Sequence, residues 1–197
     1  QEAIQSFGLQ PLTETKFTDK LTESGHIISL GRTNLLNNIK PKKNNFISLL
    51  GNLKGELENS LYQDITGIHD GGNAIDFDGT MEININQTIY QGLSSNIIKK
   101  VQTISRGGLS MALVNLMSQF NYEFGTKVHI SSKLSEEELL FGESFGAAIV
   151  LLDEAELMEF QRICMANGVS CSTIGRLREK KELLVNDILK ISNNLLR

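Results

Sequence analysis

The sequence is short of the features that would place it in a specialised class. Among its 197 residues only two are cysteine, Cys164 and Cys171. Their separation fits neither a zinc pair nor a redox pair, so the expectation is two incidental thiols in a reducing compartment, the cytoplasm. No apolar run approaches the roughly 20 residues a membrane span needs, and no signal-peptide pattern opens the chain. A dense basic block is also missing. With a formal net charge of −4, general nucleic-acid binding is disfavoured.

What is present describes an ordinary globular chain. Hydrophobic residues make up 40% and charged residues 21%, enough for a substantial core in one large domain, or one domain with a remnant of another. Residues 1–25 are polar and mixed and read as a tail or the end of a preceding domain, with residues 26–197 as the main domain. The first residue, Gln1, is not Met, which is expected of a fragment or a processed chain.

Apolar patterning predicts short strands at His26 to Leu30 and Phe46 to Leu50, with a solvated loop through Lys40, Lys42 and Lys43 between them. It also predicts a short helix at Leu61 to Ile65, one long helix from Ile83 to Val101 through Gly92, and a strand at Val128 to Ile130. Further on it predicts a helical turn at Glu136 to Phe141, a strand at Ala147 to Leu152, a helix capped by Asp153 and closed by Asn167-Gly168, and a strand from Val169 to Leu177. Leu183, Leu184, Ile188, Leu189, Ile191 and Leu195 predict a helix-like tail. Strand, helix and strand in succession point to an α/β layer.

The stretch Ser105-Arg106-Gly107-Gly108-Leu109 precedes a strong helical period through Ala112, Leu113, Leu116, Met117 and Phe120. Ser105 is a candidate N-cap. Two glycines at a helix start let backbone N–H groups approach an anion, and Arg106 could clamp a phosphate or carboxylate. The alternative is a tight turn with Arg106 in solvent.

Three other segments carry candidate chemistry. Gly51 to Ser60, glycine-punctuated, leads from strand to helix as a second possible anion site, but Glu56 and Glu58 oppose a phosphate there unless Lys54 or a metal intervenes. Residues 68–78 hold His69, Asp70, Asp76 and Asp78; the spacing does not match a calcium loop, and a turn with an acidic connector is expected instead of a metal. In Gly142-Glu143-Ser144-Phe145-Gly146, a carboxylate and a hydroxyl could bind a sugar or an amine, or serve a turn.

Taken in order, Leu49-Leu50-Gly51 through Gly55-Glu56-Leu57 and Ser60, then Ser105 with Gly107-Gly108-Leu109, then Leu140-Phe141-Gly142-Glu143-Ser144 through Ile174-Gly175, the chain resembles the C-terminal domain of the aminoimidazole-ribonucleotide-synthetase superfamily. Within it the nearest likeness is to the PurL-type formylglycinamide ribonucleotide amidotransferases, the phosphoribosylformylglycinamidine synthases. Glu58-Asn59 stands where that family usually has two glycines, and Arg106 where it usually has aspartate.

The resemblance implies an α/β (α+β) three-layer α/β/α sandwich with a mixed sheet. It implies a purine-biosynthesis ligase that uses ATP with Mg2+ and ammonia from a glutaminase subunit or domain. The nucleotide and the catalytic histidine would sit mainly on an N-terminal-type domain, so His26, His69 and His129 receive no catalytic role and this segment alone would be inactive. Ser60, Ser105, Arg106, Gly107, Gly108, Glu143 and Ser144 would line a cleft holding the phosphate or ribose of the ribonucleotide substrate. The arginine turn also resembles hydrogenase-maturation and selenophosphate-type relatives. A non-catalytic domain that pairs with another copy of itself is the third expectation.

Overall fold

Two apolar segments lie side by side at the middle of the sheet. Phe46–Gly51 (β1) and Ala147–Leu152 (β4) pair antiparallel, with Ile47 opposite Leu151 and Leu49 opposite Ile149. Alternate residues of a strand face opposite ways, and here both faces are buried. Ile47, Leu49, Ala147, Ile149 and Leu151 enter one core, while Leu50, Ala148, Val150 and Leu152 enter another. A strand pair apolar on both faces needs a cover on each side.

The computed structural model describes residues 39–68 and 77–196. Its helices are Leu61–Thr66 (α1), Gly79–Ser94 (α2), Gly108–Ser118 (α3), Glu136–Phe141 (α4) and Leu157–Ala166 (α5). The remaining strands are Ile98–Thr103 (β2), Gly125–Val128 (β3), Cys171–Arg178 (β5), Glu182–Val185 (β6) and Leu189–Ser192 (β7). The seven described strands run β2-β4-β1-β5-β3-β6-β7, antiparallel except for the parallel pair β3–β6. Leu109, Leu113, Leu116 and Met117 of α3 and Leu140 of α4 fill the first core; Ile85 of α2 with Phe160 and Cys164 of α5 fill the second. The result is the expected three-layer α/β/α sandwich on a mixed sheet.

The second helical layer is incomplete. Val128, Ile174, Leu177, Leu183 and Val185 all point into the first core, and the second core draws nothing from β3, β6 or β7. Among the described residues nothing covers the other face of that half of the sheet.

Several sequence expectations are corrected. The helix foreseen through Val101 stops at Ser94: Asn96 takes a left-handed φ of 59°, the Ile97 N–H returns to the Gly92 carbonyl at 2.9 Å, and the chain re-enters as β2. Gly92 allows this, since a Cβ there would lie 2.7 Å from Ile98 and 3.0 Å from Phe160. Ser105 is not the cap of α3. Gly107 holds that position at φ 83°, with the Gly108 N–H bonded to the Ser105 carbonyl at 2.8 Å.

Asp153 precedes a 3-10 turn, Glu154–Glu156, and makes no capping bond; it pairs instead with Lys99 at 3.4 Å and accepts from the Asn45 amide. The helix-like tail is a hairpin, β6–β7, turning at Asn186 with φ 48° and closed by a 3-10 turn at Asn193–Leu195. Leucines three and four apart fit a helix and also fit two strands around an Asn-Asp turn. The strand at residues 26–30, the boundary near residue 25 and the histidine-aspartate stretch 69–76 lie outside the described residues. Among those described, no helix is long and apolar enough to cross a membrane.

Candidate functional site

β1, β2, β3 and β6 all run in one direction, because β1 is antiparallel to β4 and β5, and each of these is antiparallel to the next strand out. The loop after β1, the turn after β2 and the lead-in to β4 therefore meet at one end of the sheet. Glu143 joins them. Its Oε1 accepts the Leu61 N–H at 2.6 Å and the Gly107 N–H at 2.8 Å, and its own N–H donates to the Glu56 carbonyl at 2.8 Å. One carboxylate thus sits at the start of both α1 and α3, where the positive ends of the helices favour an anion.

The surrounding contacts lock this arrangement. Ser144 Oγ accepts the Lys54 N–H at 2.8 Å, and Glu82 of α2 accepts the Gly146 N–H at 2.9 Å. Tyr62 stacks on Phe141 at 5.3 Å between ring centres. Ser60 is wholly buried and caps α1, accepting from Gln63 at 3.2 Å and donating to the Leu57 carbonyl at 2.5 Å. Asn59 adopts a left-handed φ of 57° and its N–H donates to the Gln63 side chain at 2.6 Å. Asparagine is the side chain best tolerated in that conformation after glycine, which accounts for Asn59 in a place where a glycine was expected.

The glycines at the helix start serve packing. A Cβ on Gly108, whose φ is 65°, would lie 2.6 Å from the Phe141 backbone, so α3 approaches the end of α4 only as glycine. Gly55 is likewise filled from outside, by Leu134 and Glu138. At Gly55 the loop therefore offers no open phosphate cradle. Arg106 is 63% exposed and its guanidinium pairs with Asp64 at 2.6 Å.

Of the residues singled out from sequence, Ser105, Arg106, Glu143 and Ser144 line one cavity of about 90 Å³, with Ile104 and Phe145. Gly107 joins it through Glu143, Gly108 lies behind it, and Ser60 is the buried cap of the helix Glu143 holds. Sequence reasoning missed Asp64, Glu82 and the edge-on pair Phe77–Phe145, 6.0 Å between centres. No spacing rule points to them, since Glu82 meets Gly146 across 64 residues. Among the described residues no three His, Cys, Asp or Glu side chains gather as a metal site.

Comparison with known proteins fits this geometry. The profile of the AIR synthase related protein, C-terminal domain, matches residues 60–187. The phosphoribosylformylglycinamidine synthase subunit PurL of Pyrococcus horikoshii is 31% identical over 123 residues, 62% of this chain and 17% of its own length. The same subunit of Tropheryma whipplei strain Twist is 28% identical over 151 residues, 76% of this chain and 19% of its own. The chain spans less than a fifth of these relatives. Among solved structures, T. maritima PurL complexed with FGAR superposes with a TM-score of 0.68 at 15% identity, covering 84% of this chain and 30% of that one; at that identity the match concerns the fold.

Proposed function

Because the chain belongs to the AIR synthase related protein, C-terminal domain, family, we propose that it is the C-terminal domain of a PurL-type enzyme. That enzyme converts formylglycinamide ribonucleotide to its amidine, with ammonia from a glutaminase partner, in the cytoplasm. ATP and Mg2+ belong on an N-terminal-type domain, since Gly55 in the glycine loop here is packed by Leu134 and Glu138. The role of this chain is to hold substrate phosphate or ribose against that domain, through Ser105, Arg106, Gly107, Gly108 and Ser144, with Glu143 and Ser60 fixing the loops.

The observation that carries this reading is the Glu143 brace, which sets the two helix starts and the Ser105-Arg106 rim as one rigid unit. The test is substrate binding and turnover of the full-length enzyme. Arg106→Ala is expected to weaken formylglycinamide ribonucleotide binding about tenfold, the worth of one charged contact, with kcat little changed. Normal affinity in both Arg106→Ala and Glu143→Ala would overturn the assignment.

A second reading rests on the same atoms. The Gly107 N–H is occupied by Glu143 and the Arg106 guanidinium by Asp64, so the turn is neutralised from within, as in a purely structural copy that pairs with a like domain. Unchanged binding together with lost assembly in Glu143→Ala would select it.

A further inference from the structure

The open half of the sheet carries charge that nothing in the described chain answers. In one row across five strands Phe46 pairs with Arg176, Arg176 with Lys127, Lys127 with Leu184, and Leu184 with Lys190. Like charges directly opposite each other in a sheet destabilise it. Neither Lys127 nor Arg176 is ion-paired among the described residues, and the nearest carboxylate by register, Glu182, is engaged by Lys180 at 3.0 Å and Arg178 at 4.0 Å. In a chain of net charge −4 this is a local basic excess kept without compensation among the described residues.

The surface there is concave. Phe46, Lys127, His129, Thr173 and Arg176 border a depression of about 360 Å³. It shares His129, Thr173 and Ile174 with a neighbouring groove of about 620 Å³ whose other polar lining is Asn52, Ser131, Ser132 and Ser172. Among the described residues no carboxylate lines either one. Neither shares a residue with the Glu143 cavity.

We propose that this groove is a binding site for a sugar phosphate, separate from the Glu143 site. The phosphate lies between Arg176 and Lys127, where a guanidinium supplies two parallel donors and an ammonium a point charge, with the His129 imidazole as a further donor. The hydroxyls of the sugar face the serine and asparagine end. An acidic protein surface would meet cations spread over a flat face; here they gather at one end of a groove whose other end is uncharged and rich in hydroxyls.

Pyridoxal 5′-phosphate tests it on the full-length protein, because its phosphate directs its aldehyde to a nearby lysine, and borohydride fixes the imine for peptide mapping. Lys127 is expected to label about tenfold faster than the exposed Lys42, with ribose 5-phosphate slowing Lys127 labelling by a similar factor and Arg176→Ala abolishing that protection. Arg106→Ala, which disturbs only the other site, is expected to leave the protection intact. Labelling of Lys127 no faster than Lys42, or protection that survives Arg176→Ala, would overturn the proposal. Protection by polyglutamate but not by ribose 5-phosphate would overturn it in favour of a protein-docking face.

Discussion

Two regions of the molecule treat charge in opposite ways. Around Glu143 the helix starts that look ready for an anion already hold one: the carboxylate takes the Leu61 and Gly107 N–H groups, and Asp64 takes Arg106. On the open half of the sheet Lys127 and Arg176 stand side by side with no counter-charge among the described residues. The first region is a recognisable motif turned inward, whereas the second has no motif and faces out. A glycine-rich turn is thus no measure of vacancy; occupancy of its donors is.

The inward region breaks with the largest effect. Gly108→Ala places a Cβ 2.6 Å from the Phe141 backbone at a φ of 65°, combining left-handed strain with overpacking against atoms that cannot move aside. A loss of about 2–5 kcal/mol is expected from urea unfolding, with α3 and α4 separating. Glu143→Ala comes next. It removes the acceptor of two backbone donors at helix starts, for about 2–4 kcal/mol, and Glu143→Gln is expected to recover part of that. If Glu143→Ala unfolds at the parent's urea midpoint, the brace is not what holds the loops.

The outward region responds with the opposite sign. Arg176→Thr relieves the repulsion with Lys127 and supplies a residue suited to a strand, so a gain of roughly 0.5 kcal/mol is expected at low salt. The gain shrinks as salt screens the pair. Arg106→Ala, by contrast, breaks an exposed ion pair and is expected to cost under about 1 kcal/mol. A destabilised Arg176→Thr would mean that the arginine is compensated within the chain, and the contrast between the regions would fall.

How much of this was legible follows from the range of each interaction. β1 and β4 were readable because FISLL and AAIVLL are apolar on both faces within six residues each. The Glu136 to Phe141 turn was readable because its acidic start and apolar end fall within six residues. The end of α2 was hidden: Ile97 and Val101 continue the helical spacing of Ile85, Ile89 and Leu93, and the decision rests on Asn96 turning left-handed so that Ile98 can pack on Gly92. The β6–β7 hairpin was hidden for a similar reason. At the site, Ser105, Arg106, Glu143 and Ser144 were picked from separate segments and do line one cavity. What Glu143 does there was not readable, because its bonds to Leu61 and Gly107 span 82 and 36 residues.

The smallest effect lies where the two charge regimes meet, at Glu182. The Lys180 ammonium hydrogen-bonded to it at 3.0 Å, with lesser contributions from Lys190 and Arg178, holds its carboxyl below the usual carboxylate range. A depressed folded-state value means the unfolded chain takes up the proton first as the pH falls. The contribution of Glu182 is therefore complete above its ordinary value of 4.5 and is lost as the pH drops from there through the lower folded value. Glu182→Gln is expected to flatten the acid limb of the stability curve in that window and to leave neutral stability nearly unchanged, since the Lys180 side chain is 62% exposed and solvent screens the pair. It also strips the basic face of a carboxylate that the described residues place beside it, so Lys127 and Arg176 should then respond more steeply to salt. A stability curve of Glu182→Gln that parallels the parent's down to low pH would show that Lys180 and Glu182 are not paired in solution, and that the basic excess extends to the edge of the sheet.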